Sequence, residues 1–376
     1  MDKFIPLARP DIGEDEIELV VETIKSGWLT TGPKVTEFES VLSEYLKYDD
    51  EIYSLGLNSC TSALFLALVA LGVKEDDEVI VPTWTFAATA QVVDWIGAQV
   101  VLCDIEEDTL NIDVKKAEKL ITNKTKAIIP VHIAGYPCDM KAIGTLANKY
   151  NLKVVEDAAH AIGTSYKDKK IGNFSDITCF SFYATKNLAM GEGGAAVSKD
   201  KELIEKMRKL SYFGINKEAF KRYEKAGRWF YDIEEIGYKA NLDSIHAALG
   251  IVQLKKLDSM NQRRREIAKY YMDNLSEKLS FNKDSNEHYH TFHLFPIRLP
   301  QDIKRDDFIE ELKENNIGCS VHFIPLHLHT FYKNRSTNEF DVANKVFEKI
   351  LSIPMCSAMS DDEVEYVVKT INKILD

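Results

Sequence analysis

Lys186 stands in "SFYATKNLAMGEGG", between a strand-like apolar run and a cluster of glycines. A lysine in such a turn is ordinarily a solvated surface residue, so its meaning depends on its company. The run "LKVVED" ends 29 positions earlier in Glu156 and Asp157, which puts an acidic group at the end of a buried strand. Upstream, "GLNSCTSAL" places Asn58, Ser59, Cys60 and Thr61 where an apolar helix begins. A hidden helix start offers free N–H groups and the positive end of the helix dipole to an anion. "VIVPTWTFAAT" adds two flat rings, Trp84 and Phe86. An anion cradle, an aromatic plate, a buried carboxylate and an amine are together what pyridoxal 5′-phosphate requires. Its phosphate needs donors, its ring a stacking partner, its pyridine nitrogen a carboxylate, and its aldehyde a lysine.

Taken singly, each part has an ordinary structural reading. Asp157 reads as a cap or turn residue, Ser59 and Thr61 as a helix N-cap, Trp84 and Phe86 as core, and "GEGG" as a tight turn. Nor does "GEGG" match the G-x-G-x-x-G of a dinucleotide fold. What favours the cofactor is that all four occur in one order around one sheet.

That sheet is predicted from short β-rich runs, "DEVIVP", "AQVVLCD", "TKAIIPVH", "LKVVED", "DITCFSF" and "GAAVS", which alternate with helical segments. Continuous Val and Ile bounded by polar turns indicate a mainly parallel sheet covered on both faces, with ligands at the carboxyl ends of its strands. "TSALFLALVAL" is apolar on every face and predicts a helix inside the domain, whereas Ile17, Val20, Val21 and Ile24 mark a peripheral amphipathic helix. Beyond residue 200 the pattern turns helical. "TFHLFPIRLP", "RDDFIEELKENN" and the stripe Val364, Val367, Val368 and Ile371 then suggest a smaller α+β lobe. The 376 residues therefore divide into a large cofactor-binding domain over 1–250, with the N-terminal helix, and a small domain over 251–376, in a lobe the two chain ends could share.

The formal charge of −12 argues against nucleic acid or an anionic membrane as the main partner, while leaving room for a local phosphate pocket. "MDKFIPLARPDIGEDE" has no apolar signal core, and the run "ALFLALVALGV" is too short to span a bilayer. Cysteines at 60, 103, 138, 179, 319 and 356 form no CxxC pair and read as reduced thiols of a cytoplasmic protein without a structural metal.

Six blocks, "SGWLTTGP", "PTWTFAATA", "TKAIIPVHIAGYPCDM", "VVEDAAHAIGTSYKDKKIGNFSDITCFSFYATKNLAMGEGG", "GYKANLDSIHAALG" and "VHFIPLHLHTFY", closely resemble the DegT/DnrJ/EryC1/StrS sugar aminotransferases in content, order and spacing. The openings "PLARPDIGEDEI" and "SGWLTTGPK" are most similar to enzymes that aminate UDP-4-keto-sugars, such as the 4-amino-4-deoxy-L-arabinose branch. The resemblance implies a fold type I, aspartate-aminotransferase-like α/β architecture with a seven-stranded mixed sheet. It implies that Lys186 binds the cofactor aldehyde and then moves the substrate proton, that Asp157 pairs with the pyridine nitrogen, and that His160 lies beside the ring hydroxyl. Phe86 would stack on the ring, and Cys60, Thr61 and Ser181 would hold the phosphate, beside Ser59 of the helix start. Asn241 would reach that phosphate from a neighbouring subunit, which implies a homodimer with shared sites. Cys60 departs from the small Gly or Ala of relatives, although its backbone N–H could still serve. Thr31, His322 and His327 fall in blocks that line the substrate side of relatives, or are a turn residue and core histidines. Arg228 and the run Arg263 to Arg265 are the candidates for a glutamate carboxylate, a surface basic patch explaining the run equally well.

The reaction implied is transfer of the amine of L-glutamate to a ketone on a nucleotide-linked sugar, for surface polysaccharide, lipopolysaccharide or capsule synthesis. A small keto phosphate such as dihydroxyacetone phosphate is the rival acceptor. A cofactor-binding sensor without turnover is the rival class. Relatives that deoxygenate sugars replace the lysine with histidine, and Lys186 argues against that chemistry here.

Overall fold

Runs of Val, Ile and Leu too apolar to face water form the strands at the centre of the molecule. The computed structural model describes residues 3–215, 231–282, 284–336 and 338–376. In chain order α1 (Glu14–Ser26) and α2 (Pro33–Leu46) precede β1 (Tyr53–Leu57), α3 (Cys60–Ala70), β2 (Glu78–Pro82), α4 (Ala87–Ile96), β3 (Gln99–Cys103) and α5 (Val114–Lys119). There follow β4 (Thr125–Ile128), α6 (Met140–Tyr150), β5 (Lys153–Asp157), the short hairpin β6 (Ser165–Tyr166) and β7 (Lys169–Lys170), β8 (Ile177–Ser181), β9 (Gly194–Ser198) and α7 (Lys201–Leu210). The chain ends with α8 (Ser244–Asn274), β10 (Ser280–Phe281), β11 (Phe295–Arg298), α9 (Arg305–Glu314), α10 (Asp341–Phe347), β12 (Ile350–Ile353) and α11 (Asp361–Leu375).

Seven strands make one sheet in the order β1-β9-β8-β5-β4-β2-β3. Strand β9 is antiparallel to both its neighbours, and every other adjacent pair is parallel. Side-chain alternation splits the core between the two faces. Val79, Val81 and Val155 join one apolar cluster with α3, whereas Ile80, Val154 and Phe180 join another with α2, α6 and α8. Helix α3 is buried along its length, as its uniformly apolar sequence requires.

A second body is built on the three antiparallel strands β10-β11-β12. Its core unites Tyr271, Phe295, Ile297, Phe308, Leu351 and Val367 with Ile5 from the other end of the chain. Ile5 bridges to Ile317, and Arg9 forms a two-pronged ion pair with Glu363 at 2.9 and 2.6 Å. The lobe is therefore shared by the two chain ends. The expected junction at 250/251 falls inside α8, a continuous helix of 31 residues. Leu254, Leu257 and Met260 of α8 pack in the sheet core, whereas Ile267, Ala268 and Tyr271 pack in the lobe. One helix thus tethers both bodies.

Helix α1 is peripheral, as its pattern predicts, but its apolar stripe faces outward. Glu16 and Thr23 are its buried residues, and Glu16 accepts hydrogen bonds from Gln253 and Lys256 of α8, each at 2.7 Å. Among the described residues no helix is long and apolar enough to cross a membrane.

Candidate active site

The carboxyl ends of the parallel strands open onto a cavity of about 540 Å³. Ser59, Cys60 and Thr61 reach it from the start of α3, Phe86 from the turn before α4, Asp157 from the end of β5, His160 from the following loop, and Ser181 and Lys186 from the end of β8. The lobe closes the opposite side with His293, Leu294, His322 and Phe323, and the N-terminal segment adds Leu7 and Ala8.

Strand alternation separates the two acids of "VED". Glu156 points away, where it accepts from His132 Nε2 at 2.8 Å, Ser175 at 2.6 Å and Thr178 at 2.7 Å. Asp157 points into the cavity wall and accepts from Thr89 Oγ1 at 2.7 Å and from Ala159 N–H at 3.1 Å. Burial pushes its carboxyl above the usual range, opposed by those two donors and the charge of Lys186. A buried anion so placed calls for a cationic or N–H partner from the cavity.

Lys186 sits in a loop tied by hydrogen bonds from Ala184 N–H to Gly191 O at 3.0 Å and from Lys186 N–H to Tyr183 O at 2.8 Å. Its ammonium has no hydrogen bond or ion pair among the described residues. Desolvation lowers its pKa from 10.5 to about 8, against the opposing pull of Asp157 and Cys60. Near neutral pH a useful fraction is therefore free amine.

At the start of α3 the Ser59 side chain caps Ser62 N–H at 3.1 Å. The N–H groups of Cys60 and Thr61 have no acceptor among the described residues and remain for an anion. The Cys60 thiol turns inward to Cys179 O at 3.5 Å, and burial holds it protonated, so Cys60 offers its backbone rather than its sulfur. Gly194 makes this arrangement fit, because a Cβ there would lie 2.3 Å from the Ser59 carbonyl carbon and 2.4 Å from the Cys60 nitrogen.

The other expected residues divide. Phe86 is 63% exposed on the cavity rim, whereas Trp84 is fully buried and donates to His322 O at 3.1 Å, which leaves Phe86 as the available plate. His322 lines the cavity, its Nδ1 3.1 Å from Ser352 Oγ, and burial lowers its pKa to about 4. His327 does not line it: its two nitrogens engage Thr83 Oγ1 at 2.7 Å and Asn344 Oδ1 at 2.9 Å, and its ring stacks on Phe340. Thr31 and Asn241 hydrogen-bond to each other at 2.7 Å outside the cavity of a single chain. Arg263 pairs with Asp361 and Arg265 with Asp284, each at 2.6 Å. Arg264 is buried against the carbonyls of Phe292, His293 and Met355, so none of the run is available to a substrate carboxylate. Arg228 lies outside the described residues. Reading the sequence missed His293, Thr89 and Phe323; the signal for His293 was one polar residue inside the apolar run "TFHLFPI".

The DegT/DnrJ/EryC1/StrS aminotransferase family model matches residues 10–372. The chain belongs to this family. It is 47% identical over its whole length to an uncharacterized Methanocaldococcus jannaschii protein, covering 98% of that protein. It is 44% identical to the spore coat polysaccharide biosynthesis protein SpsC of Bacillus subtilis, over 99% of this chain and 97% of SpsC. Among solved structures, Spr1654 from Streptococcus pneumoniae, assigned as a sugar aminotransferase, superimposes in its PMP form with a TM-score of 0.92 at 36% identity over 98% of both chains. Its PLP form superimposes with a TM-score of 0.91. This DegT/DnrJ/EryC1/StrS member is thus a pyridoxal-phosphate-dependent aminotransferase with the fold type I architecture its sequence resembles. The residues fit that cofactor: two backbone N–H groups at a helix start and an amine, without partners among the described residues, converge with a buried carboxylate on one cavity.

Proposed function

We propose that this aminotransferase moves the amino group of L-glutamate to the ketone of a UDP-linked 4-keto sugar destined for a surface polysaccharide. The observation that carries the chemistry is the placing of Lys186 and Asp157 on one cavity with the open N–H groups of Cys60 and Thr61. The sugar acceptor is supported by the likeness to SpsC, and the nucleotide by the sequence blocks that resemble UDP-sugar enzymes.

When bound, the cofactor supplies an electron sink and carries the amine between the two substrates. Cys60 and Thr61 N–H and the hydroxyls of Ser59 and Ser181 hold its phosphate, Phe86 covers its ring, and Asp157 pairs with the ring nitrogen. His160 Nδ1 accepts from Ala134 N–H at 3.3 Å, so its proton resides on Nε2, free to donate to the ring oxygen. Lys186 Nζ removes and returns the proton at the reacting carbon of each substrate, and its lowered pKa suits it to both tasks.

The working unit is a homodimer. Ile17, Val21, Ile24, Trp28 and Leu29 are 41–52% exposed on one side of the chain, an apolar face suited to a second copy. Asn241 and Thr31, outside their own cavity, then serve the partner's site. All six cysteines are free, which supports a cytoplasmic setting.

Incubation with 15N-labelled L-glutamate and a UDP-linked 4-keto-6-deoxy hexose tests this reading. Label in the product amine supports it. Label only in the amine formed from the ketone of added dihydroxyacetone phosphate would replace the acceptor, and no transfer to either would refute glutamate as donor.

A further inference from the structure

Two neutral imidazoles on the cavity wall, His160 and His293, pack against each other at a tilt of 33°, with ring centroids 4.3 Å apart. Their hydrogen bonds force opposite tautomers. The Asn187 amide donates to the Thr291 carbonyl at 3.1 Å and to Asn261 Oδ1 at 2.8 Å, which identifies its nitrogen; Asn261 in turn donates to Ile162 O at 3.2 Å. Asn187 Oδ1 is therefore an acceptor, and its neighbour at 3.0 Å, His293 Nδ1, must carry the proton. His160 is the reverse, since its Nδ1 accepts from a backbone N–H. Burial and the surrounding positive charges keep both rings well below the usual histidine range, so both stay neutral.

The pair therefore presents one N–H donor, His160 Nε2, and one lone pair, His293 Nε2, neither with a protein partner among the described residues. His293 is also held rigidly: its N–H donates to Ala134 O at 2.8 Å, and its carbonyl accepts from Arg264 at 3.4 Å. Asn187, which orients the ring, is the chain neighbour of Lys186. A fixed acceptor on the wall of the same cavity as Lys186 is placed to meet a substrate.

We propose that His293 Nε2 accepts a hydrogen bond from a hydroxyl on the carbon next to the ketone of the sugar, and so selects α-hydroxy ketones. This rests on the sugar-transamination reading above. A deoxy carbon at that position leaves the lone pair without a donor. Sites built to bind a hydroxyl can reject the analogue lacking it by about 10⁴-fold.

The test compares wild type, His293→Leu and His293→Gln, each cofactor-loaded, on a UDP-linked 4-keto-6-deoxy hexose and its 3-deoxy analogue. Wild type should prefer the 3-hydroxy sugar by at least about 100-fold in kcat/KM. His293→Leu should reduce that preference to under about tenfold, through slower reaction of the hydroxy sugar, and His293→Gln, which restores an oxygen acceptor, should regain part of it. An unchanged preference in His293→Leu would overturn the proposal while leaving sugar transamination intact. Turnover of neither sugar by wild type would overturn both. Independently of any variant, 15N shifts of labelled imidazoles should show His293 protonated on Nδ1 and His160 on Nε2; the opposite tautomer at His293 would refute the assignment.

Discussion

Asp157 and Lys186 share one environment that disfavours charge on either, and this has separate consequences for each. For Asp157→Asn, the amide keeps hydrogen-bonding capacity toward Thr89 and Ala159 but loses the charge that would hold a proton on the cofactor ring. Cofactor binding should persist while turnover falls by about 100-fold or more, as steady-state kinetics would show; an unchanged rate would remove the role. For Lys186 the folded value of about 8 lies below the ordinary 10.5. Between those values the unfolded chain binds more protons at this site, so the stability of the cofactor-free protein rises with pH across that window. Below about 8 the site imposes a constant penalty, on the order of 3 kcal/mol. Lys186→Met should therefore stabilise the cofactor-free protein at about pH 7.5 in urea denaturation, with most of the gain gone by about pH 10.5. A gain that does not change with pH would contradict the buried-amine account. Both residues were legible in the sequence because each follows a β-rich run. His293 was not, since its meaning depends on Asn187 and Ala134, which are distant in sequence and adjacent only after folding.

At the scale of elements, the contact between β9 and the start of α3 decides whether the anion cradle exists. Gly194→Ala places a methyl carbon 2.3 Å from backbone, where no side chain can yield, so the first turn of α3 must shift. We expect at least about tenfold weaker cofactor binding in a fluorescence titration with little change in circular dichroism, because the sheet itself need not move. Wild-type affinity would show that the Cys60 and Thr61 N–H groups do not hold the phosphate. The parallel strands were readable from continuous Val and Ile, which only a sheet covered on both faces tolerates. Strand β1, "YSLGL", was not, because Ser and Gly interrupt so short a run. Nor could periodicity reveal that α1 turns its apolar stripe outward: it locates a stripe but not what covers it, and Glu16 is drawn inward by Gln253 and Lys256.

For the whole molecule, that outward stripe predicts association. The double variant Val21→Glu and Ile24→Glu places charge on the exposed face without touching α8. Light scattering should show wild type at twice the chain mass and the variant at the chain mass, with activity lost because Asn241 can no longer reach a partner. An active monomeric variant would contradict shared sites. The change from a sheet-forming to a helical pattern after residue 200 was legible in the sequence. The tether was not, because α8 carries one uninterrupted helical pattern through two cores.

The most direct measurement of the central claim is an absorbance spectrum of the cofactor-loaded protein as L-glutamate and then a UDP-linked 4-keto sugar are added. Glutamate should abolish the visible band of lysine-bound cofactor, and the sugar should restore it in wild type, while Lys186→Ala shows no such band at any stage. A wild-type band that glutamate leaves untouched, or that no keto sugar restores, would contradict amine transfer between these two substrates.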